Sequence, residues 1–341
     1  MSLSRALSAS MPGLRSLRWV VSSLAAMLLL SSGTGCGEPS QAREPGPTRI
    51  VVSIAPLAGL VRELAPDAEV TVLIPAGASE HGYELTSGDI ARVGRADLVV
   101  GVGLGLEPRL TSLLASMGSA APPALWFERV LTAEEGGGDA HAGDAHAGHD
   151  HDEHGHDDHD HHEHGVDPHL WLDPVLVERF IPVLGGALAS ASERAGSPVD
   201  ADAMNDRTAA LGRRVRELHE RAAHELEPLA DRPIVTHHAS HGRFAARYNL
   251  RVAAVIRIAE NLEPTSGQIE SVVAAIRAES VPAVFVEPQF DATTAERIAR
   301  AAGIRVAVLD PIGDGDWFAL MDATVRTIVE ALGTPADEGA G

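Results

Sequence analysis

Histidines and carboxylates are concentrated in one stretch of this 341-residue chain. Residues 141–164 hold ten histidines among Asp, Glu, Gly and Ala. Imidazole and carboxylate groups are ligands for divalent transition metals. The segment has no large apolar side chain to bury, so we predict that it is disordered and binds metal weakly at several stoichiometries; a merely solvated acidic loop is the alternative. The predicted low-affinity ligands are His141, His146, His149, His151, His154, His156, His159, His161, His162 and His164.

A tight site needs ligands held by ordered elements, and four short motifs outside the histidine run supply candidates. In open α/β sheets, ligands bind beyond the carboxyl ends of the strands. Three of the motifs directly follow predicted strands, and "VDPHLWLDP" stands where the predicted disorder ends. Each residue alone is more often a surface or turn residue, but together they could form a zinc-like set of three histidines and one oxygen between two lobes. The candidates are Glu80, His81, His169, His237, His238, His241 and Asp310.

The elements that must position these side chains alternate between strand and helix. Short β-branched runs such as "RIVVSIAP" and "VPAVFVEP" are typical of buried strands, and segments with helical apolar spacing separate them. This alternation predicts an α/β fold with two lobes, each a mainly parallel sheet flanked by helices. Between the lobes, Leu211, Val215, Leu218, Ala222 and Leu226 step by three and four and form one apolar stripe, which predicts one long, rigid linker helix.

The predicted organisation of the chain follows from these patterns. We expect a signal segment, a flexible tether, an N-terminal lobe that contains a disordered histidine-rich loop, a linker helix, a C-terminal lobe and a disordered tail. In that order, the predicted bounds are residues 1–36, 37–48, 49–197 with the loop at 136–165, 198–229, 230–333 and 334–341.

The charge and the N-terminus limit the classes of partner and the location. The formal net charge of −21 argues against nucleic acid and suits a positively charged partner. The apolar run from Trp19 to Leu30 follows three arginines and is too short to span a bilayer, so we predict an export signal. Cys36 in "LSSGTGC" occupies the position of the acylated cysteine in bacterial lipoprotein signals. We predict a periplasmic or cell-surface protein anchored through a lipidated Cys36; ordinary cleavage with an idle thiol is the alternative.

Several motifs in the same order resemble those of one family. They are "GASEHGYELTSGDIARVGRADLVVGVGLGLE", "DPHLWLDP" after a histidine-rich loop, "HHASHGRFAARYNL", "EPTSGQI" and "VFVEPQF…VAVLDPIG". Over roughly residues 49–333 the chain resembles the ZnuA-like solute-binding proteins of zinc ABC transporters. The resemblance implies two lobes joined by a rigid helix, with three metal-binding histidines drawn from both lobes.

The resemblance also implies which residues bind the metal. The matching histidines are His81, His169 and His238. The family pattern is a histidine, three residues, a glycine and an aromatic residue two positions further on; aligned on Gly242 and Phe244, it selects His238 over His237. His241 is a possible supplementary or supporting residue. Asp310 matches a carboxylate ligand of related binders, and we predict it as the fourth ligand, with nearby Glu80 or a water molecule as the alternatives. Glu287 matches a family position that we interpret as a structural or hydrogen-bonding residue.

The predicted function is the capture of Zn²⁺ and its delivery to an ABC permease and its ATPase subunit, by a monomer that catalyses no reaction. Three imidazoles favour zinc over Mn²⁺, which prefers more oxygen ligands. A manganese- or iron-binding member of the same family and a stand-alone zinc chaperone or store are the alternatives. A metallohydrolase could also use three histidines and Glu80, but the sequence contains no H-E-x-x-H motif.

Overall fold

Two four-stranded parallel sheets organise the part of the chain that the computed structural model describes, residues 46–136, 166–257 and 264–333. The first sheet has the order β2-β1-β3-β4 and the second the order β6-β5-β7-β8, so the two lobes share one topology. The strands are β1 Arg49–Val52, β2 Glu69–Val72, β3 Leu98–Gly101, β4 Ala124–Trp126, β5 Pro233–Thr236, β6 Arg251–Val255, β7 Ala283–Val286 and β8 Arg305–Val308.

The central strands are buried because helices cover both sheets. Every residue of β3, β5 and β7 is buried, whereas the edge strands β6 and β8 are partly exposed. Burial on both faces is why these strands are short continuous runs of Val, Ile and Leu. The helices are α1 Ala55–Leu64, α2 Ser87–Val93, α3 Pro108–Met117, α4 Pro174–Arg194, α5 Ala201–Leu226, α6 Gly242–Arg247, α7 Ser266–Glu279, α8 Thr293–Ala302 and α9 Trp317–Leu332.

Polar side chains fix where several helices begin. The Thr86 side chain accepts a hydrogen bond from the Asp89 backbone N–H while the Asp89 side chain returns to the Thr86 N–H, which is a capping box at the start of α2. Thr265 and Gln268 form the same arrangement at α7. The side chain of Asp173 caps α4, whose first residue is a proline. Because α2 begins a few residues after Glu80, its cap also ends the loop that carries Glu80 and His81.

The long helix α5 joins the lobes, as the sequence predicts. It has 26 residues, a length of about 39 Å at 1.5 Å per residue. Its buried face includes the whole predicted stripe, from Leu211 to Leu226. This face packs against α4 and α1 of the first lobe and α9 of the second. The helix therefore supports both lobes along one side.

One apolar core runs through both lobes. It includes Ile50 and Leu60 of the first lobe, Leu218 of the linker helix, and Phe244 and Trp317 of the second lobe. All described residues belong to one compact unit within Pro45–Gly341. Separation of the lobes would expose this shared core to water, so large hinge motions are unfavourable.

Helix α4 is the one described helix whose length and apolar composition would suffice to cross a bilayer. Half of its most apolar window is buried inside the protein, and Leu176, Phe180 and Leu184 are among its buried residues. These side chains belong to the shared core, so α4 is a core helix.

Several predictions concern residues that the structure does not describe. Cys36, most of the tether, the ten histidines of residues 141–164 and the tail 334–341 lie outside the described residues. The predicted bounds of the signal, tether, lobes and loop stay predictions.

Candidate metal centre

Four side chains from both lobes come together at the carboxyl ends of the sheets. Glu80 and His81 lie in the loop between β2 and α2, His169 precedes the short 3-10 turn Leu170–Leu172, and His238 follows β5. Each offers one ligand atom, and these atoms all lie within 4.8 Å of one another. Among the described residues this is the one group of three or more His, Cys, Asp or Glu side chains with that spacing.

The distances within the group fit a tetrahedral metal ion. The Nε2 atom of His169 lies 3.3 Å from His81 Nε2 and 3.3 Å from Glu80 Oε1. Zinc–nitrogen bonds of about 2.0–2.1 Å in a tetrahedron place neighbouring ligand atoms about 3.3–3.4 Å apart. The three imidazole rings also meet edge to face, with centroids 5.1–5.3 Å apart. Two of the separations therefore match a tetrahedral zinc site, and the whole group could close around one small cation.

The group is shielded from solvent on most sides. Glu80 is 1% exposed, His169 2% and His238 8%, while His81 is half-buried. The Oε2 atom of Glu80 is buried and has no hydrogen-bond partner among the described residues. A buried carboxylate oxygen without a donor is costly unless a cation compensates it. This observation favours a positively charged occupant beside Glu80.

Two carboxylates control the charge of His169. Its Nδ1 atom lies 2.7 Å from Asp167 Oδ1, and its Nε2 atom faces Glu80. Burial alone would lower the pKa of His169, but the hydrogen bonds to Asp167 and Glu80 outweigh it and raise the pKa to about 9. Burial raises the pKa of Glu80, and the hydrogen bond and charge of His169 reverse this, so the Glu80 pKa lies below its ordinary value. Without a metal, an imidazolium therefore bridges two carboxylates.

His81 has the opposite electrostatic environment. Burial and the positive charge of His169 lower the pKa of His81 to about 4, despite the nearby Glu80 carboxylate. The ring is therefore neutral at physiological pH, which is the form of imidazole that binds a metal.

His238 also has a carboxylate behind it. Its Nδ1 atom lies 3.5 Å from Glu287 Oε1, which accepts a hydrogen bond of 2.5 Å from the Ser240 hydroxyl. Burial raises the pKa of Glu287, but the contact with His238 lowers it below its ordinary value overall. Glu287 is 3% exposed, so it is a buried hydrogen-bonding residue, in agreement with the interpretation of its sequence position.

Three of the candidate ligands lie outside the group. Asp310 Oδ1 accepts hydrogen bonds from Gln289 Nε2 at 2.7 Å and from the Ile312 backbone N–H at 3.0 Å. The His237 ring packs edge-on against Phe290. His241 is fully buried with its Nδ1 atom 2.7 Å from the Ser240 hydroxyl, and burial lowers its pKa to about 4. The assignment of Asp310 as the fourth ligand stays a prediction, and the geometry favours Glu80.

Sequence reasoning missed one residue at this centre. Asp167 is hydrogen-bonded to His169 and was not among the candidate residues. The available signal was the tripeptide Asp-Pro-His at residues 167–169, in which a carboxylate precedes a histidine by two positions.

Several known proteins are similar to this chain in sequence or in structure. The chain matches the family ZnuA, described as zinc-uptake complex component A, periplasmic, over residues 50–331. It is 31% identical over 302 residues to the high-affinity zinc uptake system protein ZnuA of Brucella abortus, covering 82% of this chain and 87% of that protein. It is 25% identical to the zinc-binding lipoprotein AdcA of Streptococcus pneumoniae, covering 86% of this chain and 54% of AdcA. A crystal structure of a zinc-bound ZnuA deletion mutant superposes with a TM-score of 0.68 at 25% identity, covering 85% of this chain and 99% of that one.

Proposed function

Because the chain belongs to the ZnuA family of zinc-uptake components, we propose that it captures Zn²⁺ between its lobes and delivers it to the permease of an ABC importer. The observation that carries this proposal is the group of Glu80, His81, His169 and His238, whose ligand atoms lie within 4.8 Å of one another. We propose these four residues as the zinc ligands. Glu80 replaces Asp310 as fourth ligand because Asp310 lies outside the group whose ligand atoms come together.

The chain is a solute-binding protein and not an enzyme, as a member of this family. The proposed site agrees with that role. Structural zinc sites are closed by four protein ligands, whereas catalytic sites keep one position for water. Three imidazoles and the Glu80 carboxylate would fill all four positions, so no water would remain to be activated.

The choice of zinc rests on the donor set. Three nitrogen donors and one carboxylate are typical of zinc, while manganese sites contain more oxygen ligands. Zinc as the ligand is also what the names of ZnuA and AdcA state for those relatives. A manganese- or iron-binding role, or a zinc store without a transporter, would use the same fold, and both are distinguished by the experiment below.

Release of the metal requires movement near the site, and we propose that this movement is small. Trp171 Nε1 donates to the Pro311 carbonyl at 2.6 Å, and Trp317 Nε1 donates to the Trp171 carbonyl at 2.8 Å. These buried bonds hold the two lobes together beside His169. The loop that carries Glu80 and His81 contains Gly77 and Gly82, both at positive φ and with nothing within 4 Å of the point that a Cβ atom would occupy. We propose that the permease displaces this loop rather than opening the lobes.

The sequence features outside the described residues complete the proposal. In this proposal the histidines of residues 141–164 gather metal, and Cys36 anchors the exported protein to a membrane. AdcA, a relative, is itself named a lipoprotein. The protein acts as a monomer with the permease and its ATPase subunit as partners.

The proposal is tested by deleting the gene in its host and growing the strain with a chelator. We expect slow growth that zinc, but not manganese, restores, and rescue by the wild-type gene but not by His238→Ala. If manganese or iron restores growth and zinc does not, that metal rather than zinc is the one the protein captures. Normal growth of the deletion strain, with tight zinc binding by the purified protein, would indicate a store or chaperone instead.

A further inference from the structure

The tripeptide Asp167-Pro168-His169 forms a short turn that places one carboxylate beside one imidazole. Asp167 Oδ1 accepts from the His169 backbone N–H at 2.9 Å and from His169 Nδ1 at 2.7 Å. An aspartate that bonds the backbone two residues ahead closes an Asx turn, and the intervening proline restricts the backbone further. Backbone and ring of His169 are therefore held by the same oxygen atom.

This contact selects one face of the imidazole for metal. A carboxylate only accepts hydrogen bonds, so the proton on Nδ1 points to Asp167 and Nε2 points to Glu80 and His81. In metal sites, a carboxylate behind a histidine fixes the tautomer and raises the basicity of the ligating nitrogen. His169 is 2% exposed, so its ring is shielded from solvent where it contacts Asp167.

The second oxygen of Asp167 contacts the other lobe. Asp167 Oδ2 accepts from the Arg243 backbone N–H at 3.2 Å, and the Arg243 side chain donates through Nε to the Asp167 carbonyl at 2.8 Å. A Cβ atom at Gly242 would lie 3.1 Å from Asp167 Oδ2, so a residue without a side chain permits this approach. One carboxylate thus contacts a proposed ligand with one oxygen and the second lobe with the other.

We propose that Asp167 is a positioning residue for metal binding, which holds the His169 ring in its ligating orientation and couples that orientation to the second lobe. The proposal rests on the proposed function, because it requires that His169 binds the metal. In this role Asp167 affects the affinity for zinc, whereas a purely structural contact between the lobes would affect only the stability of the fold.

A matched control lies on the same segment. Asp173 forms two hydrogen bonds with Arg247 of the second lobe, at 2.9 and 2.6 Å, and neither involves His169. Asp173→Asn therefore weakens an ion pair between the same lobes without touching the metal centre, and Asn can still cap α4. Asp167→Asn makes the same chemical change beside His169, and Asp167→Ala removes the acceptor completely.

The experiment compares wild type, His169→Ala, Asp167→Ala, Asp167→Asn and Asp173→Asn in the full chain, by zinc competition titration and by the visible spectrum of bound Co²⁺. We expect Asp167→Ala to lower the affinity of the tight site about tenfold to a hundredfold and to change the Co²⁺ spectrum, with Asp167→Asn intermediate. Asp173→Asn should lower the melting temperature but leave the affinity within about threefold and the spectrum unchanged. Melting curves identify any variant that fails to fold. If Asp167→Ala does not fold, the comparison is made with Asp167→Asn instead.

Two results would overturn the inference while leaving the proposed function intact. One is a folded Asp167→Ala variant with wild-type affinity and spectrum. The other is an equal loss of affinity in Asp167→Asn and Asp173→Asn with unchanged spectra, which would make Asp167 a contact between lobes only. If His169→Ala keeps the tight site, the proposed ligand set is wrong, and the role of Asp167 fails with it.

Discussion

The Nε2 atoms of His81 and His169 lie 3.3 Å apart, although 88 positions separate the two residues in the chain. Because His169 is protonated in the absence of a metal, the proton on its Nε2 atom faces His81 and Glu80, where a metal ion would bind. Asp167 fixes His169 from behind, and the bonds of Trp171 and Trp317 hold the adjoining segment. The fold therefore maintains a close approach in which a metal ion would replace this Nε2 proton, and the predictions below follow from this arrangement.

The first prediction concerns the fourth ligand. Glu80→Gln removes a buried charge beside His169 and should lower zinc affinity about a hundredfold, which corresponds to about 2.8 kcal/mol. Asp310→Asn keeps an acceptor for Gln289 and Ile312 and should change the affinity by less than about threefold. A competition titration with a chromophoric chelator measures both. If Asp310→Asn lowers the zinc affinity more than Glu80→Gln does, Asp310 rather than Glu80 is the fourth ligand.

The second prediction separates two adjacent histidines. His238 belongs to the group of proposed ligands, whereas the His237 ring packs against Phe290, 5.4 Å away between centroids. His238→Ala should abolish the tight zinc site, and His237→Ala should retain it with a lower melting temperature, because a buried ring is lost. X-ray absorption of the zinc-loaded variants counts the imidazole ligands. Loss of an imidazole in His237→Ala would contradict the assignment.

The third prediction concerns protons. The pKa of His169 is about 9 and that of His81 about 4, so at pH 7 His169 carries a proton and His81 does not. Zinc requires the neutral imidazole, and its binding should release about one proton between pH 7 and 8, falling toward zero as the pH rises above 9. Calorimetry in buffers with different ionisation enthalpies measures the release. Zinc binding without proton release at pH 7 would show that His169 is neutral beforehand.

The fourth prediction tests the packing between lobes. Gly59 of α1 lies so close to the loop before α9 that a Cβ atom would come within 2.3 Å of the Gly315 carbonyl oxygen. Gly59→Ala should lower the free energy of unfolding by about 1–3 kcal/mol through overpacking. Gly186 of α4 is exposed with nothing within 4 Å of a Cβ position. Gly186→Ala should therefore raise the free energy of unfolding by about 0.5–1 kcal/mol. Urea titrations compare the two; equal effects would mean that the lobes do not pack tightly there.

Much of the fold could be predicted from local patterns. Runs such as those of β1 and β7 are buried on both faces, so their apolar character is continuous and visible in the sequence. The stripe from Leu211 to Leu226 identified the linker helix because its spacing reflects one buried face. These signals are local, and they do not depend on how the lobes meet.

The composition of the site was less accessible to sequence reasoning. Family resemblance selected His81, His169 and His238, which the structure brings together. The choice between Glu80 and Asp310 depends on where the ends of side chains point, and Gln289 and Ile312 direct Asp310 Oδ1 toward themselves. Asp167 was missed because its role arises from contacts across 76 positions, with Arg243, as well as from the turn that precedes His169.

The most direct test is a zinc titration of three proteins: the mature chain, a version without residues 139–164, and His169→Ala in that shortened version. The mature chain should show one tight site and several weak ones. The shortened version should keep the tight site and lose the weak ones, because the loop contains no proposed tight ligand. His169→Ala should then lose the tight site. If removal of the loop alone abolishes tight binding, the metal centre formed by Glu80, His81, His169 and His238 is not the zinc site.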